Sequence, residues 1–204
     1  MMKRASLRTM AVMAAVTLAI SAHARADGAK VGEPAPEWTL ESVTDGESYT
    51  LSELPGIVVM VWQSTQCPWD RMRPEGGYQR VLAPLAKEYQ EKGVTFIAIN
   101  SNKTESVDEL ASYHKQHALP YPIVKDPGNK VADAYGAKTT PHIFIRDAAG
   151  KLIYKGGIEK APTSPEKCGQ MDEQYLKPVL DAAIAGETLP ATETVSKGCS
   201  IKRE

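Results

Sequence analysis

Apolar residues in this chain gather into short, dense runs separated by polar turns. The densest, residues 56–62, reads Gly56, Ile57, Val58, Val59, Met60, Val61 and Trp62, with no polar side chain in it. A strand without polar alternation is one covered on both faces, as in the middle of an α/β sheet. Residues 94–99 repeat the pattern and run out into Asn100, Ser101 and Asn102. A third run, 139–145, passes through Pro141. The turn signal at 147–150, ending in Gly150, returns it as a strand over 151–154.

Between these runs the spacing turns helical. Val81, Leu82, Leu85 and Tyr89 share one helical face within 68–92. Pro74, Pro84 and the Gly76, Gly77 pair predict that this stretch breaks into a short helix beginning at Pro68 and a longer one closed by Gly93. Further helices are predicted up to about His117, with Thr104 or Ser106 as cap, over 129–135 closed by Gly136, and over about 171–185. Residues 31–36 carry Pro34 and Pro36 and read as extended, 38–40 and 49–51 as a hairpin about Asp45 and Gly46, and 121–124 as a short extended piece. The order β–α–β–α–(β)–α–β–β–α predicts an α/β fold, a central mixed β-sheet with helices on both faces.

Composition narrows the setting. The 204 residues carry a formal net charge of −1 with both signs scattered, which gives no reason to expect nucleic acid or an acidic membrane as partner. Lys3, Arg4 and Arg8 precede an apolar stretch, 10–20, too short to span a bilayer, and Ala24, Arg25, Ala26 offer a small-x-small cleavage site. Residues 1–26 are therefore read as a signal peptide, with Ala22, His23, Ala24 as a second cleavage candidate. Residues 27–185 are read as one domain and 186–204 as a C-terminal tail. The mature chain is expected to be secreted or periplasmic, with no membrane span. Three cysteines remain, Cys67, Cys168 and Cys199. An odd count in an exported protein leaves at least one thiol free or paired with another molecule.

Candidate chemistry centres on Cys67. It follows the 56–62 strand through the polar Gln63, Ser64, Thr65 and Gln66, and Pro68 takes the first position of the predicted helix. A thiol at a helix amino terminus meets partial positive charge and unpaired N–H groups, both of which favour the thiolate. Asp70 is read as a carboxylate in the first helical turn rather than as a proton shuttle, Trp62 as core, and Trp69 as a surface lip able to touch a substrate.

With Cys67 and Pro68 after a buried strand and Thr140 and Pro141 opening a later one, the chain resembles the thioredoxin-like superfamily. It is closest in look to the redoxin branch, that of alkyl hydroperoxide reductase and thiol-specific antioxidant. Residues 98–102, 134–137 and 198–202 further resemble a peroxiredoxin-like subgroup. The resemblance implies a thioredoxin-like fold with a cis Pro141 facing Cys67, and an exported thiol-dependent oxidoreductase or peroxidase-like antioxidant without cofactor. Cys67 would reduce peroxides or exchange disulfides with proteins or small molecules, and an external thiol would supply electrons. Cys67 and Cys199 are the candidate catalytic residues; Pro68, Trp69, Thr140 and Pro141 would form the substrate shelf, with Ser64 and Asp70 in support. Three features depart from the family patterns. Asp70 stands where thioredoxins carry their second Cys, Ser64 where the subgroup often has another, and Met60 at the proline position of the usual peroxiredoxin motif. A peroxidatic site also needs a cation, for which Arg71, Arg73 and Arg146 are candidates. Cys199 either resolves the intermediate formed on Cys67 or bridges to Cys168. The alternative is a non-catalytic or metal-binding module on the same fold, with Cys67 and His142 as copper ligands.

Overall fold

The computed structural model describes residues 28–204, so the predicted signal peptide lies outside the described residues. In chain order the strands are β1 (Thr39–Glu41), β2 (Ser48–Thr50), β3 (Ile57–Trp62), β4 (Val94–Asn100), β5 (Ile123–Lys125), β6 (Thr139–Thr140), β7 (His142–Arg146), β8 (Leu152–Gly156) and β9 (Cys199–Ser200). The helices are α1 (Gln79–Gln90), α2 (Val107–His117), α3 (Lys130–Tyr135) and α4 (Leu176–Ala185).

The central sheet runs β5-β4-β3-β7-β8. It is mixed: β3 pairs in parallel with β4 and antiparallel with β7. Alternate residues of β3 feed two cores, as period-2 side-chain geometry demands. Val59 and Val61 meet Leu82, Ala86 and Tyr89 of α1, Leu110 of α2 and Val179 and Leu180 of α4. Val58, Met60 and Trp62 meet Trp38, Leu51, Phe144 and, from α3, Ala132 and Tyr135. Both faces are covered, which is why the strand could be apolar throughout. Trp62 is fully buried, and its indole N–H donates to Ser101 Oγ at 3.1 Å.

Two helix boundaries differ from expectation. No helix begins at Pro68. The chain makes a single turn, in which Asp70 and Arg71 N–H both reach Cys67 O, and α1 starts only at Gln79. Pro74 has no N–H to continue a helix, and Gly77 adopts φ +88° where a Cβ would lie 2.0 Å from Arg71 O. The backbone groups of this loop are satisfied elsewhere: Met72 N–H by the Tyr113 hydroxyl, Tyr78 N–H by Trp69 O, and Gly77 N–H by Pro165 O. The last helix likewise begins at Leu176 rather than near 171. Ser106 caps α2, its Oγ accepting from Glu109 N–H at 3.2 Å.

The tail is the larger surprise. Residues 199–200 form a strand against β6 in register Thr139↔Ser200 and Thr140↔Cys199. Ile201 is buried in the core beside α3. Among the described residues no helix is long and apolar enough to cross a membrane.

Candidate active site

β3 delivers the chain to its carboxyl end in the middle of the sheet, and Gln63, Ser64 and Thr65 follow, all buried. Ser64 Oγ accepts from Gln66 and Cys67 N–H, both at 3.2 Å, and donates to Glu105 Oε1 at 3.0 Å. Cys67 is thereby held over the carboxyl end of the sheet, only 2% exposed. Its sulfur lies between two strands. The thiol is 3.0 Å from Thr140 O, and Cys199 N–H donates to the sulfur at 3.3 Å.

The Thr140–Pro141 peptide is cis, as the resemblance implied. The structure thus brings together Cys67, Cys199, Thr140, Pro141, Ser64 and Asp70. Pro68 is exposed beside them and Trp69 half-buried, with Lys197 Nζ 4.8 Å above its ring. Cys168 stands apart, its sulfur 3.8 Å from Trp69 O. All three thiols are free. The tail therefore carries Cys199 to Cys67, and Cys168 is not joined to it in this structure.

Two expectations about charge are overturned. Cys67 does not sit at a helix end, because the helix is absent, and its thiol is pushed up to about 12 rather than down. Burial is the first cause, and the Asp70 carboxylate and the Cys199 side chain add to it. Asp70 is not a surface carboxylate in a first helical turn. It is fully buried, its Oδ2 accepting from Ser64 N–H at 2.5 Å and its Oδ1 from Gln79 Nε2 at 2.8 Å. Desolvation and the nearby Glu105 raise it to about 7 against those two hydrogen bonds.

The three arginines do not supply a cation to the sulfur. Arg146 pairs in register with Val58, at the opposite end of the strand from Trp62↔His142. Four residues of strand are about 13 Å. Its guanidinium donates to Leu51, Leu54 and Asp147 carbonyls. Arg73 is paired with Glu75 and Glu166, and Arg71 is not among the groups that set the ionisation of Cys67. His142 turns its Nδ1 to Lys138 N–H at 3.4 Å and packs tilted against the Phe144 ring; burial lowers it to about 4. Among the described residues no three His, Cys, Asp or Glu side chains gather as metal ligands do.

Sequence reasoning missed Glu105. Buried, it accepts from Ser64 and Thr65 hydroxyls, Gln66 N–H and the Asn100 and Asn102 amides. Lys125 Nζ closes the same loop on Asn100 Oδ1 and the Asn102 and Glu105 carbonyls. The signal was present in the sequence: a polar Asn, Ser, Asn run directly after a buried strand needs buried partners. Gln79 and Tyr121 extend the network behind Asp70, the Tyr121 hydroxyl donating to Gln79 Oε1 at 2.5 Å.

Against known proteins, residues 31–155 match the family model described as AhpC/TSA family. The thiol-disulfide oxidoreductase ResA of Halalkalibacterium halodurans is 30% identical over 153 residues, which is 73% of this chain and 77% of that one. A crystal structure of an uncharacterized conserved protein from Geobacillus kaustophilus superposes with TM-score 0.75 at 28% identity, covering 86% of this chain and 93% of that chain. The peroxidoxin BcpB of Mycobacterium tuberculosis shares the fold at TM-score 0.51 and 22% identity, over 77% of this chain and 95% of its own.

Proposed function

Because this chain belongs to the AhpC/TSA family, we propose that it is an exported thiol–disulfide oxidoreductase whose redox couple is Cys67 and Cys199. It is a thiol-dependent oxidoreductase with a thioredoxin-like fold. The observation that carries the assignment of the couple is the β6–β9 pairing, which sets Cys199 N–H on the Cys67 sulfur. In the reaction the two thiols give two electrons and two protons to a partner disulfide, which leaves as two thiols, and Cys67–Cys199 becomes a disulfide. An external dithiol or two monothiols then reverse the step and are oxidised in turn. The ResA relative, named for thiol–disulfide oxidoreduction, supports exchange over peroxide reduction. So does the site, because among the described residues no cation is one of the groups that set the ionisation of Cys67, and a peroxidatic thiol needs one to ionise it and polarise the peroxide. Export is supported by the leader at 1–26, and amino-terminal sequencing of the protein recovered from the periplasm should begin near Asp27.

Peptide mapping after one equivalent of oxidised glutathione tests the couple. A single linked peptide pair joining Cys67 to Cys199 is expected, and both Cys67→Ser and Cys199→Ser should lose it. Linkage of Cys168 to Cys199 would overturn the assignment. Hydrogen peroxide consumption that outpaces disulfide reduction, and disappears in Cys67→Ser, would move the activity to peroxide.

A further inference from the structure

We propose that external thiols exchange with this protein at Cys199 rather than at Cys67. The partner that fits is a low-molecular-weight thiol or disulfide, because the chain's own tail fills the edge on which an extended polypeptide would lie. The inference rests on the Cys67–Cys199 couple proposed above and assigns its direction of approach.

Residues 195–200 cross the site as a strap fastened at both ends. Upstream, Lys155 N–H donates to Thr192 O at 3.0 Å and Thr194 N–H to Lys155 O at 3.1 Å, while Gly157 N–H holds Thr194 Oγ1 at 3.0 Å. Downstream, Ile201 N–H reaches Lys138 O at 3.0 Å, Lys202 N–H reaches Asn102 Oδ1 at 2.6 Å, and Arg203 pairs with Asp133. Between these anchors the strap lies against Trp69, Thr140 and Pro141 of the expected substrate shelf and leaves Pro68 exposed. Ser196 Oγ lies 2.8 Å from Thr139 Oγ1, and Lys197 covers Trp69. Gly198 passes so close to the shelf that a Cβ would stand 2.0 Å from Thr140 O and 3.0 Å from Pro141 N.

An extended peptide adds to a sheet edge through main-chain hydrogen bonds, and that edge has to be vacant. Here β9 occupies the β6 edge. A small thiol needs only one reachable sulfur. Cys67 is buried beneath the strap, whereas Cys199 keeps partial exposure and Ser200 next to it is open to solvent.

The chemistry balances with two equivalents of a small thiol. Its thiolate attacks Cys199 Sγ of the disulfide. A new sulfur–sulfur bond forms to Cys199, the old one breaks, and Cys67 leaves as thiolate and takes a proton from solvent. A second thiolate attacks the external sulfur of that mixed disulfide, releasing Cys199 and a small disulfide. The protein gains two electrons and the small thiols lose two.

The test follows glutathione uptake. Reduced full chains of Cys67→Ser and Cys199→Ser are mixed with excess oxidised glutathione, and the adduct is timed by peptide mass. Cys199 in Cys67→Ser should react at least about tenfold faster than Cys67 in Cys199→Ser, since access governs thiol reactivity. Adding Gly198→Ala to Cys199→Ser displaces the strap without touching a thiol. It should raise uptake at Cys67 about tenfold and admit a cysteine-containing peptide disulfide that was unreactive before. Circular dichroism confirms that each variant is folded. Equal or faster reaction at Cys67, no adduct at Cys199, or no response to Gly198→Ala in a folded chain would overturn the inference. Failure of the couple itself reads differently: the wild type would then give no Cys67–Cys199 peptide, whatever the two variants' rates.

Discussion

Alkylation of Cys67 by iodoacetamide at pH 7 is expected to run about a thousandfold more slowly than that of an unperturbed cysteine. With the thiol pushed up to about 12, only about one molecule in 10⁵ carries the thiolate at neutral pH, against a few in a hundred for an ordinary thiol near 8.5. The cause is burial first, then the Asp70 carboxylate and the Cys199 side chain, and the Cys199 N–H that points at the sulfur does not offset them. The rate should therefore climb about tenfold per pH unit from 7 to 10 with no plateau, because the thiolate fraction does. Mass-resolved alkylation of the Cys67 peptide measures it. A plateau below pH 8, or a neutral rate like that of free cysteine, would show a stabilised thiolate and sink the reading. The same destabilised thiolate has a redox consequence. A couple whose reduced form is not favoured by an acidic thiol holds its electrons loosely, so the couple proposed here is expected to lie on the reducing side of the thiol–disulfide scale.

That result would invert what the local sequence suggests, and the reason is instructive. Cys67 followed by Pro68 carries the grammar of a helix start, but Pro74 and the Gly76, Gly77 pair fall within the ten residues from Pro68 to Gly77 and leave only one turn. The breakers were visible; how little helix they would spare depended on Tyr113 and Pro165 satisfying the loop from outside. The sheet was legible because β3, β4 and β7 are apolar enough to be buried on both faces, and hydrophobic runs state burial directly. The cis Pro141 came through the family resemblance, not from composition. The position of Cys199 was not legible at all as geometry. A strand of two residues has no periodicity to read, and its place is fixed by tertiary contacts at Lys138, Asn102 and Thr139. Nor did the sequence declare that Asp70 would be buried, since a carboxylate near a chain turn is ordinarily solvated.

Between pH 5 and pH 8 the folded protein is expected to lose about 2 to 3 kcal/mol of stability through Asp70 alone. Its carboxyl is raised to about 7 when folded and returns to about 3.9 when the chain unfolds. Over that interval the folded state binds the proton that the unfolded state has already released, so stability is fully present below about pH 4 and falls as pH rises through 7. Urea midpoints across the range would show the decline. Asp70→Asn should flatten it, and the hydrogen-bond network can absorb the change. The asparagine oxygen still accepts from Ser64 N–H, and its NH₂ faces Gln79, whose amide turns over. Gln79 Nε2 then meets the Tyr121 hydroxyl, which can accept as readily as it now donates. Removing this charge also relieves Cys67, so the alkylation rate of the variant at neutral pH should rise while its stability at pH 8 rises with it. A wild type whose stability is level from pH 5 to 8, or a variant that keeps the same slope, would mean the buried carboxylate titrates as an ordinary one. The shared electrostatics of Asp70 and the Cys67 sulfur would then have to be abandoned together.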